Sequence, residues 1–493
     1  MTTLRNIILI VATMFASVVM AQSTKRLAFN NNHQFKIAQF TDIHWNDDSI
    51  ASCQRTLATL DAVIKAEKPD LIVLTGDIVT DHPAVKGWQS IIKFFHNQGI
   101  PYVVEMGNHD AEFLSKDSIY TMLTDDPVYV GVKGNQVSGY GNMTIALHAS
   151  DGSDAVKNVI YLIDSNDYPK NKLHAVYDWI HFDQIEWYRR ESDRFAAKNG
   201  GKPVPSLAYF HIPLSEYASL KNKVETYGIG KDGYGDGSWG INSGMFASFL
   251  DKGDVVGVFA GHNHQNDFIG IRADVALAYG RCSGWNAYGV LQRGGRIVML
   301  TEGSRHFDTW VTTEKGKEAV YHYPSGITSI DESCEYLKAL NVKPKKNGVA
   351  YTYYEGNILS CKDIASLKPL KKGVMANFII DEAPVDDHYA YEFDALFNAP
   401  EKAVYKFRMR SDDGAQLFID GKLVIDNDGS HSANFAVGKV ALEKGFHTIH
   451  IKYFEDYMGQ ELKLNYQTPN IDDTPVSNDM LFIPVGNNNS NKK

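Results

Sequence analysis

From residue 35 onward, short runs of continuously apolar residues stop, one after another, at clusters of acids, histidines and amides. "FKIAQF" (35–40) stops at Asp42-Ile43-His44, "DLIVLTGD" (70–77) ends in Gly76-Asp77, and "PYVVEMGNHD" (101–110) ends in Gly107-Asn108-His109-Asp110. "SLAYFHIP" (206–213) carries His211, and "DVVGVFAGHNH" (254–264) closes on Gly261-His262-Asn263-His264. A run that is apolar at every position suits a strand buried on both faces. Helix-like stretches lie between several of them, at about Ser52 to Glu67 (stopped by Pro69), Val85 to Gln98, and Asn242–Asp251. This alternation predicts βαβ units and a parallel sheet. Ligands of such a sheet collect outside the carboxyl ends of its strands, so these polar tips would face one crevice. Glycines beside them allow the backbone to turn sharply after a buried strand.

The donors themselves indicate a chemistry. Carboxylate, imidazole and amide oxygen together suit borderline or hard divalent ions, and no Cys accompanies them. Gly-Asp and Asn-His-Asp each occur in many ordinary turns; their succession at strand ends, and no single one of them, points to a metal.

The order D-x-H, GD, GNHD, H and GHxH resembles the signature of the calcineurin-like metallophosphoesterases, over about residues 34–310. "NSGMFASFLDKGDVVGVFAGHNHQNDFIG" (242–270) resembles the branch related to the purple acid phosphatase 29 type of plants and fungi. The resemblance implies an α/β fold with a four-layer core, a central β-sandwich flanked by helices, and a centre of two divalent transition-metal ions (Fe, Mn or Zn). Carried over by motif position, Asp42, His44, Asp77 and His264 would hold one ion. Asp77, Asn108, His211 and His262 would hold the other, with Asp77 bridging. True purple acid phosphatases owe their colour to a tyrosine ligand; His44 occupies the first motif here and no matching Tyr is evident, so no purple enzyme is expected.

One carboxylate can bridge two ions roughly 3.5–4 Å apart, and a water between them would lose a proton near neutral pH and attack phosphorus in line. The cations' charge would outweigh the two carboxylates and attract a phosphate. His109, outside the ligand set, would contact the phosphoryl oxygen or protonate the leaving oxygen, with Asp110 orienting it. His82, in the loop just after Gly76-Asp77, is read either as a substrate contact or as a surface residue. "SGWNAY" (283–288) either lines the pocket or packs beneath the loop. The glycine-rich "YGIGKDGYGDGSWG" (227–240) reads as a surface loop near the site.

At 493 residues the chain is too long for one ordinary domain. We place an α/β domain at 28–310, a polar, lysine-rich linker at 311–346, an all-β sandwich at 347–468, and a tail at 469–493. Short strand-like runs with Asp-Gly turns at 413–414 and 420–421 support the sandwich. "YTYYEG", "FRMRSDDGAQLFIDGKLVIDNDG" and "KGFHTIHIKYFED" resemble the protective-antigen-type domain, a β-sandwich often attached to sugar-active enzymes and adhesins. In its sugar-binding members an adjacent Asp pair holds Ca²⁺ that bridges to a glycan; Asp412 and Asp413 stand at the corresponding place, where an ordinary hairpin turn is the alternative.

Residues 1–21, with Arg5, the apolar stretch Ile7 to Ala21 and a small-residue cleavage site, read as an export signal too short to span a bilayer stably. The expected destination is the periplasm, the cell surface or the medium. A net charge of −10 argues against a broad nucleic-acid surface. Four cysteines do not make a disulfide scaffold, although Cys334 and Cys361 are close enough in sequence to pair. The expected function is therefore an exported two-metal phosphoester hydrolase, a phosphomonoesterase acting on a small phosphorylated substrate, with a C-terminal domain for glycan or surface targeting. The alternatives are a phosphodiesterase or nuclease on the same site, or a non-catalytic glycan-binding surface protein.

Overall fold

The computed structural model describes residues 26–220, 226–231, 241–344 and 346–484, so the export segment and residues 232–240 of the glycine-rich loop lie outside the described residues. The chain divides into two compact units, one running to Ala319 and the other starting at Val320.

Two mixed sheets build the first unit. In one, Val156–Leu162, Ser206–Tyr209, Val255–Ala260 and Val275–Tyr279 run parallel. Met143–His148 and Ile269–Arg272 pair antiparallel to this group. In the other, Gln34–Phe40, Leu71–Thr75 and Tyr102–Glu105 are parallel, and Gly294–Thr301 and Phe307–Thr313 extend them antiparallel. The parallel sheet expected from sequence is thus two mixed sheets, with the strands that carry the site running parallel in each.

Strand alternation decides which side chain meets which layer. Val258 and Ala260 pack with Ile185, Tyr188, Phe246 and Phe249 of the helices Phe182–Lys198 and Met245–Lys252. Phe259 faces the opposite sheet, its ring 5.9 Å from that of Phe307. Arg296, fully buried between the sheets, donates to the carbonyls of Tyr279 and Asp267. The helix Ile50–Glu67 packs on the second sheet, where Glu67 accepts from the Trp310 indole at 2.9 Å. Each large apolar side chain buried this way contributes roughly 1.5–3 kcal/mol. The result is the expected four-layer core of helices, sheet, sheet and helices.

The second unit is all-β apart from short helical turns. One sheet runs Lys371–Met375, Val349–Glu355, Tyr389–Ala399, Gly445–Glu455, Ala415–Ile419, Lys422–Asn427; the other runs Asn434–Leu442, Ala403–Asp412, Glu461–Gln467, Thr474–Pro475. Their facing sides bury an aromatic core that includes Tyr389, Tyr391, Phe393, Phe407 and Tyr453.

Two expected boundaries shift. Residues placed in the linker from 311 lie partly in the strands Phe307–Thr313 and Gly316–Tyr323, and Leu337 and Leu340 bond to Ala441 and Phe446. Only Tyr321 and Tyr323 of 316–323 are buried and its first three residues, Gly316, Lys317 and Glu318, are exposed, so its composition looks like that of a joint. The tail contributes Thr474–Pro475 and Leu481–Phe482, the latter pairing with Leu396 and Phe397. All four cysteines are unpaired. No helix among the described residues is long and apolar enough to cross a membrane.

Candidate metal centre

The polar tips converge because the two halves of the site continue the sheets beyond their last strand residues. Asp42 N donates to Gly76 O, His44 N to Asp77 O, and Trp45 N to Ile78 O, at 2.8–3.0 Å, zipping the first two loops together. Gly261 N donates to His211 O and joins the other two. Asp42, His44, Asp77 and His262 all take positive φ, between 48° and 75°, which turns their side chains back over the strand ends. Gly76 shares that conformation, and a Cβ there would stand 2.5 Å from both Gly107 N and His211 Nδ1.

Two groups of donor atoms result, each within 4.8 Å: Asp42, His44, Asp77 and His264, and Asp77, His211 and His262. Asp77 belongs to both. Its Oδ2 lies 3.3 Å from His211 Nε2 and 3.6 Å from His44 Nε2. Asp42 Oδ1 lies 3.2 Å from His264 Nε2. Apart from His44 and His262, these residues are almost wholly buried.

Several features of the donor set fit cations. Asn108 Oδ1 is buried with no hydrogen-bond partner, whereas its Nδ2 donates to Tyr168. A buried carbonyl left bare costs about 1–3 kcal/mol unless something electropositive faces it. His211 Nδ1 donates to Thr75 O at 2.8 Å, which leaves Nε2 as a lone-pair donor. His44 Nε2 and His264 Nε2 face each other at 3.1 Å, as do His262 Nδ1 and His211 Nε2 at 3.4 Å. Burial raises the Asp77 pKa, but His211 and His44 outweigh it and hold the carboxyl well below its usual range. Burial works against charge on His211, yet Asp77 pushes it up to about 9, and its neighbour His262 is pushed down to about 3 by burial and by His211. The imidazoles supply positive charge only at one another's expense.

The remaining predicted residues divide. His109 lines a cavity of about 240 Å³ over the donor groups, together with Tyr177 and Tyr288. Asp110 does not orient it. Its Oδ1 accepts from Ile78 N and Val79 N at 2.7 and 3.0 Å, and its Oδ2 accepts from Gly107 N at 2.8 Å. It therefore fastens the Gly-Asp loop to the Asn-His-Asp loop, and Glu112 is the carboxylate on His109 Nδ1, at 2.9 Å. His82 is exposed and packs its ring 4.0 Å from Phe113, outside the cavity lining. Of "SGWNAY", Tyr288 lines the cavity and stacks on His264 with centroids 4.0 Å apart, while Trp285 is half-buried against the helix Ile50–Glu67 and donates to Thr59; the packing expected beneath the glycine-rich loop falls largely outside the described residues. Sequence reading missed Glu112, Tyr168 and Tyr177. Glu112 alone had a signal, a carboxylate three residues beyond the histidine.

In the second unit Asp412, Asp413 and Glu455 form a third donor group. Glu455 Oε1 is buried without a partner, and burial, with the charges of Asp413 and Asp412, pushes its carboxyl up to about 8. Asp413 is engaged by the backbone N–H groups of His431 and Asp456.

Facing sheets with such donors at their strand ends make the first unit an α/β protein with a candidate two-metal site. Residues 35–266 match the family model described as calcineurin-like phosphoesterase, and residues 345–480 match the PA14 domain. "Probable inactive purple acid phosphatase 29" of Arabidopsis thaliana is 33% identical over 58% of this chain and 82% of its own length. "Phosphatase DCR2" of Saccharomyces cerevisiae is 24% identical over 61% of this chain and 57% of its own. A solved dimetal phosphatase from Danio rerio, 11% identical, covers 58% of this chain and 98% of its own with a TM-score of 0.41. The chain belongs to the calcineurin-like phosphoesterase family and carries a C-terminal PA14 domain.

Proposed function

We propose that the first unit is a metal-dependent phosphoester hydrolase with phosphomonoesterase activity. The observation that carries this is Asp77, a single buried carboxylate shared by two donor groups; on the loop whose His109 N–H bonds Asp77 Oδ1, Asn108 keeps a buried Oδ1 without a partner. Asp42, His44, Asp77 and His264 would hold one divalent ion, and Asp77, Asn108, His211 and His262 the other. Ions held there would polarise the phosphoryl group and make water nucleophilic at neutral pH. The chain's own part is to fix the donors, to shelter them between sheets, and to present His109 at the cavity wall as a proton donor or phosphoryl contact. Three relatives are named probable inactive, another a phosphatase. The full donor set in this chain supports the active reading.

We assign the second unit to calcium-dependent glycan or surface attachment. Its support is the carboxylate group of Asp412, Asp413 and Glu455, with an unpartnered buried oxygen that suits a hard cation. The apolar N-terminal run supports export.

Hydrolysis of 4-nitrophenyl phosphate and of bis(4-nitrophenyl) phosphate, with Mn²⁺, Fe²⁺ or Zn²⁺ added, tests the catalytic reading. Monoester turnover that a chelator abolishes is the expected result. Preference for the diester would make the protein a phosphodiesterase, and turnover of neither ester would sink the hydrolase reading. For the second unit, calcium-dependent retention on immobilised glycans is expected, and retention unaffected by chelator would overturn it.

A further inference from the structure

Beside the donor groups lies a hydrogen-bonded chain that no motif accounts for. Glu112 Oε1 accepts from His109 Nδ1 at 2.9 Å and from the Tyr168 hydroxyl at 3.4 Å. The Tyr168 oxygen in turn accepts from Asn108 Nδ2 at 3.1 Å. Every proton in this chain then has one place. The Tyr168 hydrogen goes to Glu112, so the hydroxyl can only accept from the Asn108 amide. That fixes the Asn108 amide through its Nδ2 and leaves Oδ1, buried with no other partner, free as an acceptor. It also places the imidazole proton of His109 on Nδ1 and leaves Nε2 for the cavity that His109 lines.

A part-exposed His–Glu pair three residues apart is by itself worth little. Tyr168 makes this one different. It comes from the loop after Val156–Leu162, sixty positions from Asn108, and reaches both Asn108 and Glu112. Asp110, the adjacent acid, is committed to three backbone N–H groups and cannot take this part.

We infer that Glu112 is a positioning residue for His109 and that Tyr168 ties it to Asn108, so that imidazole and amide are set as one unit. This rests on the hydrolytic reading of the same site. Hydrolysis consumes one water: its oxygen bonds phosphorus and the bond from phosphorus to the leaving oxygen breaks. His109 Nε2, bare in this tautomer, takes up the proton that the water releases and hands it to the leaving oxygen. Glu112 keeps the ring in the tautomer and orientation this requires and stabilises it when it carries both protons.

The test uses the full-length, Zn²⁺-loaded chain and the variants Glu112→Ala, Glu112→Gln, Tyr168→Phe, His109→Asn and Glu112→Ala/His109→Asn. Ethyl phosphate turnover should fall on the order of 10–100-fold in Glu112→Ala, with less loss on 4-nitrophenyl phosphate and unchanged zinc content. Glu112→Gln, which keeps an acceptor oxygen, should recover part of the loss. Adding Glu112→Ala to His109→Asn should cost nothing further, because the two act through one another. Tyr168→Phe should weaken zinc binding by on the order of 10-fold. Ring ¹⁵N NMR, assigned against His109→Asn, should show the Nδ1–H tautomer in the parent and a mixture in Glu112→Ala. Full additivity of the two substitutions, or an unchanged tautomer, would overturn the inference. A parent that turns over neither ester would overturn the hydrolytic reading instead, and the tautomer and zinc binding would still decide the roles of Glu112 and Tyr168.

Discussion

Asp77 and Asp110 are both buried carboxylates on neighbouring loops, yet they are put to opposite uses. Asp77 turns Oδ2 toward two imidazoles, whereas Asp110 gives both oxygens to backbone N–H groups. Asp110→Asn should therefore behave as a structural lesion. An amide group can replace only one of the two acceptors, leaving a buried N–H bare at about 1–3 kcal/mol. Thermal melts should show that loss, elemental analysis a reduced metal content, and turnover should fall on both ester substrates alike. His109→Asn should do the reverse, with metal content kept and turnover down on the order of 10²–10⁴, most severely on esters with poor leaving groups. Loss of metal from His109→Asn would remove it from the acid role. The sequence made the donor residues legible because each follows a buried run. It misassigned Asp110 because neighbours in sequence need not share a direction, and it could not bring Tyr168 to Asn108 across sixty residues of chain.

The elements that hold the site are short, and their spacing leaves no slack. A Cβ on Gly107 would meet Asp77 N at 2.5 Å and press on the Asp77 carboxylate itself. Its φ is not in the left-handed region, so space alone forbids the side chain. Gly107→Ala should displace Asp77 and cost both metal ions, which elemental analysis would read as a fall toward zero, not toward half. Retention of both ions would show that the loops can part without harm. The parallel strands around this point were readable from their continuous apolar runs. Their antiparallel neighbours were not, because pairing Gly294–Thr301 with Gln34–Phe40 joins segments some 260 positions apart. Residues 316–323 failed for a different reason, since a strand whose first three residues are all exposed has the composition of a linker.

For the molecule as a whole, the two units carry donor groups of different hardness, so their cations can be told apart. An ion at 100 times its Kd stabilises the state that binds it by about 2.7 kcal/mol. Mn²⁺ should raise the melting temperature through the first unit, and Asp77→Asn should abolish that rise while leaving any rise with Ca²⁺ intact. Replacing Asp412 and Asp413 with Asn should give the converse pattern. If either substitution removed both responses, the assignment of one cation class to each unit would fail.

The left-handed backbone at Asp42, His44, Asp77 and His262 makes the site a burden on the fold when it has no work to do. Non-glycine residues in that region cost on the order of 1–2 kcal/mol each. Selection for heat resistance alone, from a random library grown and challenged with chelator present, should therefore erode the site first. Glycine and asparagine, which tolerate this backbone, should accumulate at those four positions while the flanking strands stay as they are. Survivors that kept all four donors would mean the backbone is relaxed there, and the site could persist through long disuse at no expense to stability.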